Sequence, residues 1–276
     1  FGGVHRVAKV SEIIVPIFAV LYILVSLFVV AINIGEIPGI IKAIFESAFG
    51  LREMAVGSMS GMILVGIKRG LFSNEAGMGS APNAAATADV THPVKQGLIQ
   101  TLGVFTDTIV ICSCTAFMIL LYSDYATAGL EGIELTQAAL SSQIGSIGNI
   151  FIAICILLFA FSSIVGNYYY GESNIEFMSK NKTVLNVFRA MVVGMVLFGA
   201  VAKVQLVWDL ADVFMGFMAV INLAAIALLG KYAFIALKDY SAQKKAGIKD
   251  PVFDASNIEG LENVECWKEE TEEKAV

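Results

Sequence analysis

Gly70-Leu71-Phe72-Ser73-Asn74-Glu75-Ala76-Gly77-Met78-Gly79-Ser80-Ala81-Pro82 interrupts an apolar segment that runs from about Ala55 to Val90. As one helix that segment would be about 54 Å long at 1.5 Å per residue, nearly twice the hydrocarbon core of a bilayer. The quoted stretch supplies a break, because its glycines tolerate positive φ and Pro82 has no amide hydrogen. Backbone groups freed at membrane depth are costly against lipid, so a break persists only where protein buries it or where it lines a polar cavity. Two half-helices then present free amides on one side and free carbonyls on the other, suited to a carboxylate and a cation. Phe72, Ser73, Asn74, Gly77, Met78 and Gly79 are accordingly the candidate substrate-binding residues of the break. The competing reading is a kinked helix whose glycines only permit close packing. Ser, Asn, Glu and Pro within the same turns favour a site. Glu75 either binds or relays an ion, or accepts amides and hydroxyls and holds the break open; Lys68 and Arg69 precede it by about two turns and can snorkel or pair with it.

The surroundings of the break fix the class. Of 276 residues, 57% are hydrophobic and 15% charged, with mean hydropathy +0.76. Ordinary soluble domains carry about a quarter charged residues. Uninterrupted apolar runs cover about Ile13 to Ile34, Leu98 to Leu121, Ile147 to Tyr170, Val187 to Val204 and Val207 to Gly230, each long enough to span a bilayer. With the interrupted segment, the expectation is an all-α integral membrane protein of six transmembrane segments, one of them discontinuous. Residues 1–230 form the membrane core and residues 231–276 a polar cytoplasmic tail, read as a helix extension followed by a flexible end. With the tail inside, alternating spans place Arg6, Lys9, Lys95, Lys180, Lys182, Arg189, Lys231, Lys238, Lys244 and Lys245 in the cytoplasm and only Lys42, Arg52 and Lys203 outside, as the positive-inside rule demands. Between the first two spans, Ile37, Ile40, Ile41, Ile44, Phe45 and Ala48 recur at helical spacing and predict a short amphipathic helix. The chain opens on Phe1 and reads as a fragment of a longer protein. A net charge of −6 and pI near 5.0 exclude a nucleic-acid partner. The cysteines show no metal or disulfide spacing, and His5 and His92 receive no role.

Other polar residues sit at membrane depth. Ser163 and Asn167 are four apart on one helix face, with Ser162 adjacent and Phe159 one turn earlier. Two hydroxyls and a carbonyl make part of an oxygen shell for a hard cation, although membrane serines also bond back to the preceding turn or join helices. Asp107, beside Thr108, must face the bundle interior, serving either a cation or proton site or a brace for the broken helix. Asp209 and Asp212 read either as an outer gate or as solvated carboxylates favoured at a helix N-terminus.

The motif Gly70 to Pro82, followed by His92-Pro93-Val94-Lys95-Gln96-Gly97, resembles the alanine/glycine:cation symporter family of prokaryotes. The resemblance continues through Val104 to Thr108, Phe159 to Glu172 and Val207 to Asp212. It implies a LeuT-type fold of two inverted five-helix repeats, of which this chain holds the second repeat plus one helix of the first. It implies substrate lining by Ser163 and Asn167, and sodium ligation by Ser162 and Ser163 with the Phe159 carbonyl. Asn167 stands where some relatives carry an aromatic residue, which bears on substrate choice.

The function expected from these readings is sodium-coupled symport of a small neutral amino acid, alanine or glycine, by alternating access in a prokaryotic plasma membrane. Na⁺, with H⁺ open as the alternative, is the coupling ion, and no further cofactor is expected. A channel or passive pore is the rival, since a broken helix can line a conduction path. An enzyme would need a nucleophile–base pair or metal motif at membrane depth, and neither HExxH nor a Ser/His arrangement occurs there.

Overall fold

The computed structural model describes residues 4–49, 59–261 and 267, and among them every regular element is helical. Five helical stretches are long and apolar enough to cross a membrane: Glu12–Ile32, Pro93–Leu120, Ser146–Met178, Lys182–Val201 and Val204–Lys245. They coincide with the five uninterrupted apolar runs, and the protein is a multi-pass membrane protein. The start of the interrupted segment, residues 55–58, lies outside the described residues. So do residues 262–266 and 268–276, which carry most of the acidic end of the tail.

Helix α1 covers Val4–Ile32, and α2, the expected amphipathic helix, covers Ile37–Ala48. The interrupted segment is helical as α3, Met59–Asn74, and again as the six-residue α4, Ser80–Ala85. The next span starts as α5, Pro93–Phe105, widens into a π-helical turn at Thr106–Ile111, and continues as α6, Cys112–Leu120. Then come α7, Gly132–Ile144, α8, Ser146–Met178, α9, Lys182–Val201, and α10, Val204–Lys245.

The chain divides into two compact units. In the first, residues 1–74 and 105–196, α1 packs on α6 and α8, and α7 lies along α8. Tyr22, Val29, Met118, Leu140 and Ile152 form its buried core. Polar pairs join the helices: Tyr22 Oη lies 2.6 Å from Thr115 Oγ1, and Asn33 Nδ2 donates to Gln143 Oε1 at 2.8 Å. The α7–α8 crossing requires Gly148, where a Cβ would stand 2.9 Å from the Leu140 carbonyl carbon. Buried Glu172 accepts from Arg189 Nη2 at 2.6 Å, and Tyr168 Oη accepts from Arg189 Nε, clasping α8 to α9.

In the second unit, residues 75–104 and 197–276, the described part of the tail up to residue 261 is docked. The helix extension is present, since α10 runs without interruption to Lys245. Residues 250–258, expected to be flexible, instead fold back onto the start of α5 and the end of α10. Phe253 N donates to Thr91 O at 2.9 Å, Thr91 Oγ1 donates to Pro251 O at 2.9 Å, and Gln243 exchanges two bonds with the Val252 backbone. Lys95 pairs with Asp250, and that hydrogen bond holds the Asp250 carboxyl below the ordinary carboxylate range. His92 is fully buried beneath this strap, its Nδ1 accepting from Val94 N and its Nε2 lying 3.2 Å from Asp239 Oδ2. Accepting at Nδ1 places the ring proton on Nε2, aimed at the carboxylate. The rings of Tyr240 and Phe253 meet the imidazole edge-on.

Candidate functional site

The break is built from backbone conformations that few residues adopt. After α3 ends at Asn74, Glu75, Gly77 and Gly79 have φ of 55°, 81° and 95°. Glu75 is the non-glycine residue with positive φ among those described. That conformation costs an L-residue about 1–2 kcal/mol, so the fold holds the turn against local preference. Met78 N closes it by donating to Glu75 O at 3.2 Å. Gly79 caps α4, and Pro82 falls in the first turn of α4, where an amide proton has no intrahelical acceptor.

Two side chains hold the freed groups, one from a distant helix and one from α4 itself. In the second unit Asn222 of α10 donates from Nδ2 to Gly77 O at 2.9 Å, while Asn83 Nδ2 donates to Gly79 O at 2.9 Å. A Cβ on Gly79 would stand 3.2 Å from Asn222 Cβ, a tight contact at a position whose φ already favours glycine. Met78 is buried, and so is Ser80, whose hydroxyl has no hydrogen-bond partner among the described residues. Beside α4, a cavity of about 770 Å³ is lined by Ala81, Pro82, Asp89, Gln96 and Gln100, among others.

In the first unit the end of α3 is tied to the π-helical turn. Ser73 Oγ donates to Asp107 Oδ2 at 2.7 Å, and Asn74 Nδ2 donates to Thr108 Oγ1 at 3.0 Å. Cys112 Sγ lies 3.2 Å from Ser73 Oγ. A π turn inserts one extra residue into a helix and is found mostly at functional positions. Here it carries both residues that receive the end of α3. The bracing contact of Asp107 is therefore present; an additional ion role is a separate matter.

On α8, Ser162 Oγ donates to Phe159 O at 2.8 Å. Two of the three candidate cation ligands thus bond to one another, and the hydroxyl's lone pairs stay available to a cation. Ser163 and Asn167 lie on the exposed side of α8, and Phe72 is half-buried. Tyr168 is engaged by α9, stacking on Phe188 with centroids 6.0 Å apart.

Two residues were not anticipated. Asn222 stands alone among Val220, Ile221 and Leu223 in an apolar run, and the rule that polar residues at membrane depth need partners could have flagged it. His92 is hidden by tail residues far along the chain, and no local signal marks it.

Comparison with known proteins places the chain among carriers. The model of the sodium:alanine symporter family matches residues 1–255. Similar curated proteins from Bacillus subtilis (strain 168) include the amino-acid carrier protein AlsT, 56% identical over 99% of this chain and 58% of its own length. The probable sodium/glutamine symporter GlnT is 57% identical over 97% of this chain and 56% of its own length. The putative sodium/proton-dependent alanine carrier protein YrbD is 42% identical over 98% of this chain and 59% of its own length. The chain thus spans somewhat more than half the length of the curated relatives it matches.

Proposed function

The chain belongs to the sodium:alanine symporter family, and from that premise we propose that it forms the binding and gating part of a carrier that takes up a small neutral amino acid with Na⁺. The observation that carries the proposal is the break: positive φ at the alternate positions Glu75, Gly77 and Gly79, followed by the buried Ser80 hydroxyl, which has no partner among the described residues. A turn of that kind offers backbone amides to a carboxylate at a helix start. In this reading the interrupted segment is a sixth span, the fold is of LeuT type, and the tail lies in the cytoplasm of a prokaryotic cell. Phe72, Ser73, Asn74, Gly77, Met78 and Gly79, with Ser163 and Asn167, line the substrate. Ser162 and Ser163 with the Phe159 carbonyl hold Na⁺. Entry of the ion down its gradient stabilises the occupied state and draws the amino acid with it. Release to the cytoplasm completes alternating access.

Alanine or glycine is the first substrate reading. A glutamine reading stands beside it, because a relative of 57% identity is described as a probable sodium/glutamine symporter. The test is uptake of labelled alanine by the full-length protein in proteoliposomes, with unlabelled glycine and glutamine as competitors. Saturable uptake that needs an inward Na⁺ gradient is expected. Uptake indifferent to both Na⁺ and H⁺ gradients would sink the coupling, and large ion currents without saturable exchange would favour a channel. Gly77→Leu should abolish substrate binding, and retained affinity would count against the break as the site.

A further inference from the structure

We propose that Asn222 is a positioning residue for the broken helix, fixing the direction in which the Gly77–Gly79 turn presents its backbone to the substrate. The proposal rests on the functional reading above and adds to it a residue that sequence motifs do not mark. Asn222 is half-buried on α10 among exposed apolar neighbours, and its side chain reaches a segment 145 residues away in the chain. Nδ2 donates to Gly77 O at 2.9 Å, while the Cβ, Cγ and Oδ1 atoms lie over Gly79, within 3.2–3.4 Å of where a Cβ would stand. Leu223, the next residue of α10, would stand 3.9 Å from a Cβ on Gly77. One side chain therefore meets both glycines of the Gly-Met-Gly turn.

The Gly77 carbonyl and the Met78 amide belong to a single planar peptide unit. Its oxygen is held by Asn222 and its N–H by Glu75 O at 3.2 Å. With both ends fixed, the plane cannot rotate, and the orientation of the adjoining backbone groups follows from it. Removing the donor leaves the Gly77 carbonyl without its side-chain partner. The peptide then has reason to turn toward another partner, carrying the Met78 amide with it. Asn222 acts through the backbone and does not touch the substrate, so its loss should appear in affinity rather than in the amount of folded carrier.

The test is Na⁺-driven uptake of labelled L-alanine by the full-length protein in proteoliposomes, comparing wild type with Asn222→Leu, Asn222→Asp and Asn222→Gln. Leu keeps the approximate volume and removes the donor, Asp is near-isosteric and loses the donor when ionised, and Gln keeps an amide. The KM of Asn222→Leu is expected to rise about tenfold, the scale of one lost hydrogen bond, with Vmax per folded protein within about twofold of wild type. Asn222→Asp should show the same rise if Leu fails to reach the membrane, and Asn222→Gln should recover most of the affinity. Wild-type KM in both Leu and Asp variants would overturn the proposal. So would a fall confined to Vmax, which marks a merely structural residue. Absence of Na⁺-driven uptake in the wild type would instead strike the functional reading, a result separable from any effect at Asn222.

Discussion

Gly77 and Gly79 share a left-handed backbone but differ in their surroundings, which allows the two demands on glycine to be separated. At Gly77 a new Cβ would find its nearest neighbour, Leu223 Cδ2, at 3.9 Å, an ordinary contact. Gly77→Ala should therefore cost only the conformational penalty of placing an L-residue at φ 81°, about 1–2 kcal/mol. At Gly79 the φ is 95° and the new methyl would press on Asn222 Cβ, Cγ and Oδ1 at 3.2, 3.3 and 3.4 Å. Overpacking adds about 1–3 kcal/mol, giving about 2–5 kcal/mol in all for Gly79→Ala. Thermal unfolding of the purified full-length protein in one detergent or lipid system should rank wild type above Gly77→Ala and Gly77→Ala above Gly79→Ala. Asn222→Ala removes two of the three close atoms, so the Gly79→Ala/Asn222→Ala double variant should lose less than the sum of the singles. Equal losses at the two glycines, or strict additivity in the double variant, would refute the packing argument and leave φ alone as the reason for glycine.

Three further outcomes follow from contacts elsewhere. A methyl at Gly171 would stand 2.5 Å from Phe188 Cζ, so Gly171→Ala should destabilise the α8–α9 clasp by about 1–3 kcal/mol, read as a lowered unfolding temperature; Phe188→Leu should relieve it. Asp107→Asn keeps an acceptor for Ser73 while removing the charge: if Asp107 only braces α3, uptake and its ion dependence stay near wild type, whereas loss of Na⁺ or H⁺ dependence assigns the carboxylate to coupling. The Asp250 carboxyl titrates below its ordinary value because Lys95 bonds it, so its contribution to strap docking is complete above the unfolded value near about 3.9 and is lost only as pH falls through the lowered folded value. Trp267 packs edge-on against Phe253 of the strap, with centroids 5.2 Å apart, and its emission in a Trp208→Phe background should stay constant from about pH 8 to 5 and shift red below about 4; a shift centred near pH 6 would point to a group other than Asp250.

The membrane-spanning helices were legible because hydropathy is a property of each residue summed along the chain. Ile13 to Ile34 and Val207 to Gly230 announce themselves without reference to any neighbour. The amphipathic α2 was legible from its period, and the break from glycine and proline chemistry, since positive φ and a missing amide are local properties too. Pairings are a different kind of fact. The sequence could place Asp107 in the interior but could not choose its partner, because Ser73 lies 34 residues earlier and meets it only through the π-helical turn. Arg189 read as one of several cytoplasmic cations, yet the structure pairs it with buried Glu172. His92 looked idle because the groups that enclose it, Asp239, Tyr240 and Phe253, arrive from the far end of the chain. Residues 250–258 of the tail read as flexible for the same reason: polarity says that a segment is wetted, not that it is loose, and Thr91, Lys95 and Gln243 supply polar partners that dock it.

A helix break frees backbone groups that demand partners, and the polar residues of the described helices can be weighed against it. The end of α3 is met by Asp107 and Thr108, and the Gly77 carbonyl by Asn222. Each of these residues would be expensive in an apolar helix with nothing to bond. Their presence is explained by the break, and the break persists because of them. Ser80 does not fit this pattern, since its hydroxyl is buried beside the same turn and has no hydrogen-bond partner among the described residues. An orphaned hydroxyl costs about 1–3 kcal/mol, and an alanine would remove that cost with little change in volume. Ser80→Ala should therefore leave the unfolding temperature of the purified full-length protein unchanged or raised, and a clear fall would show that the hydroxyl does serve the fold.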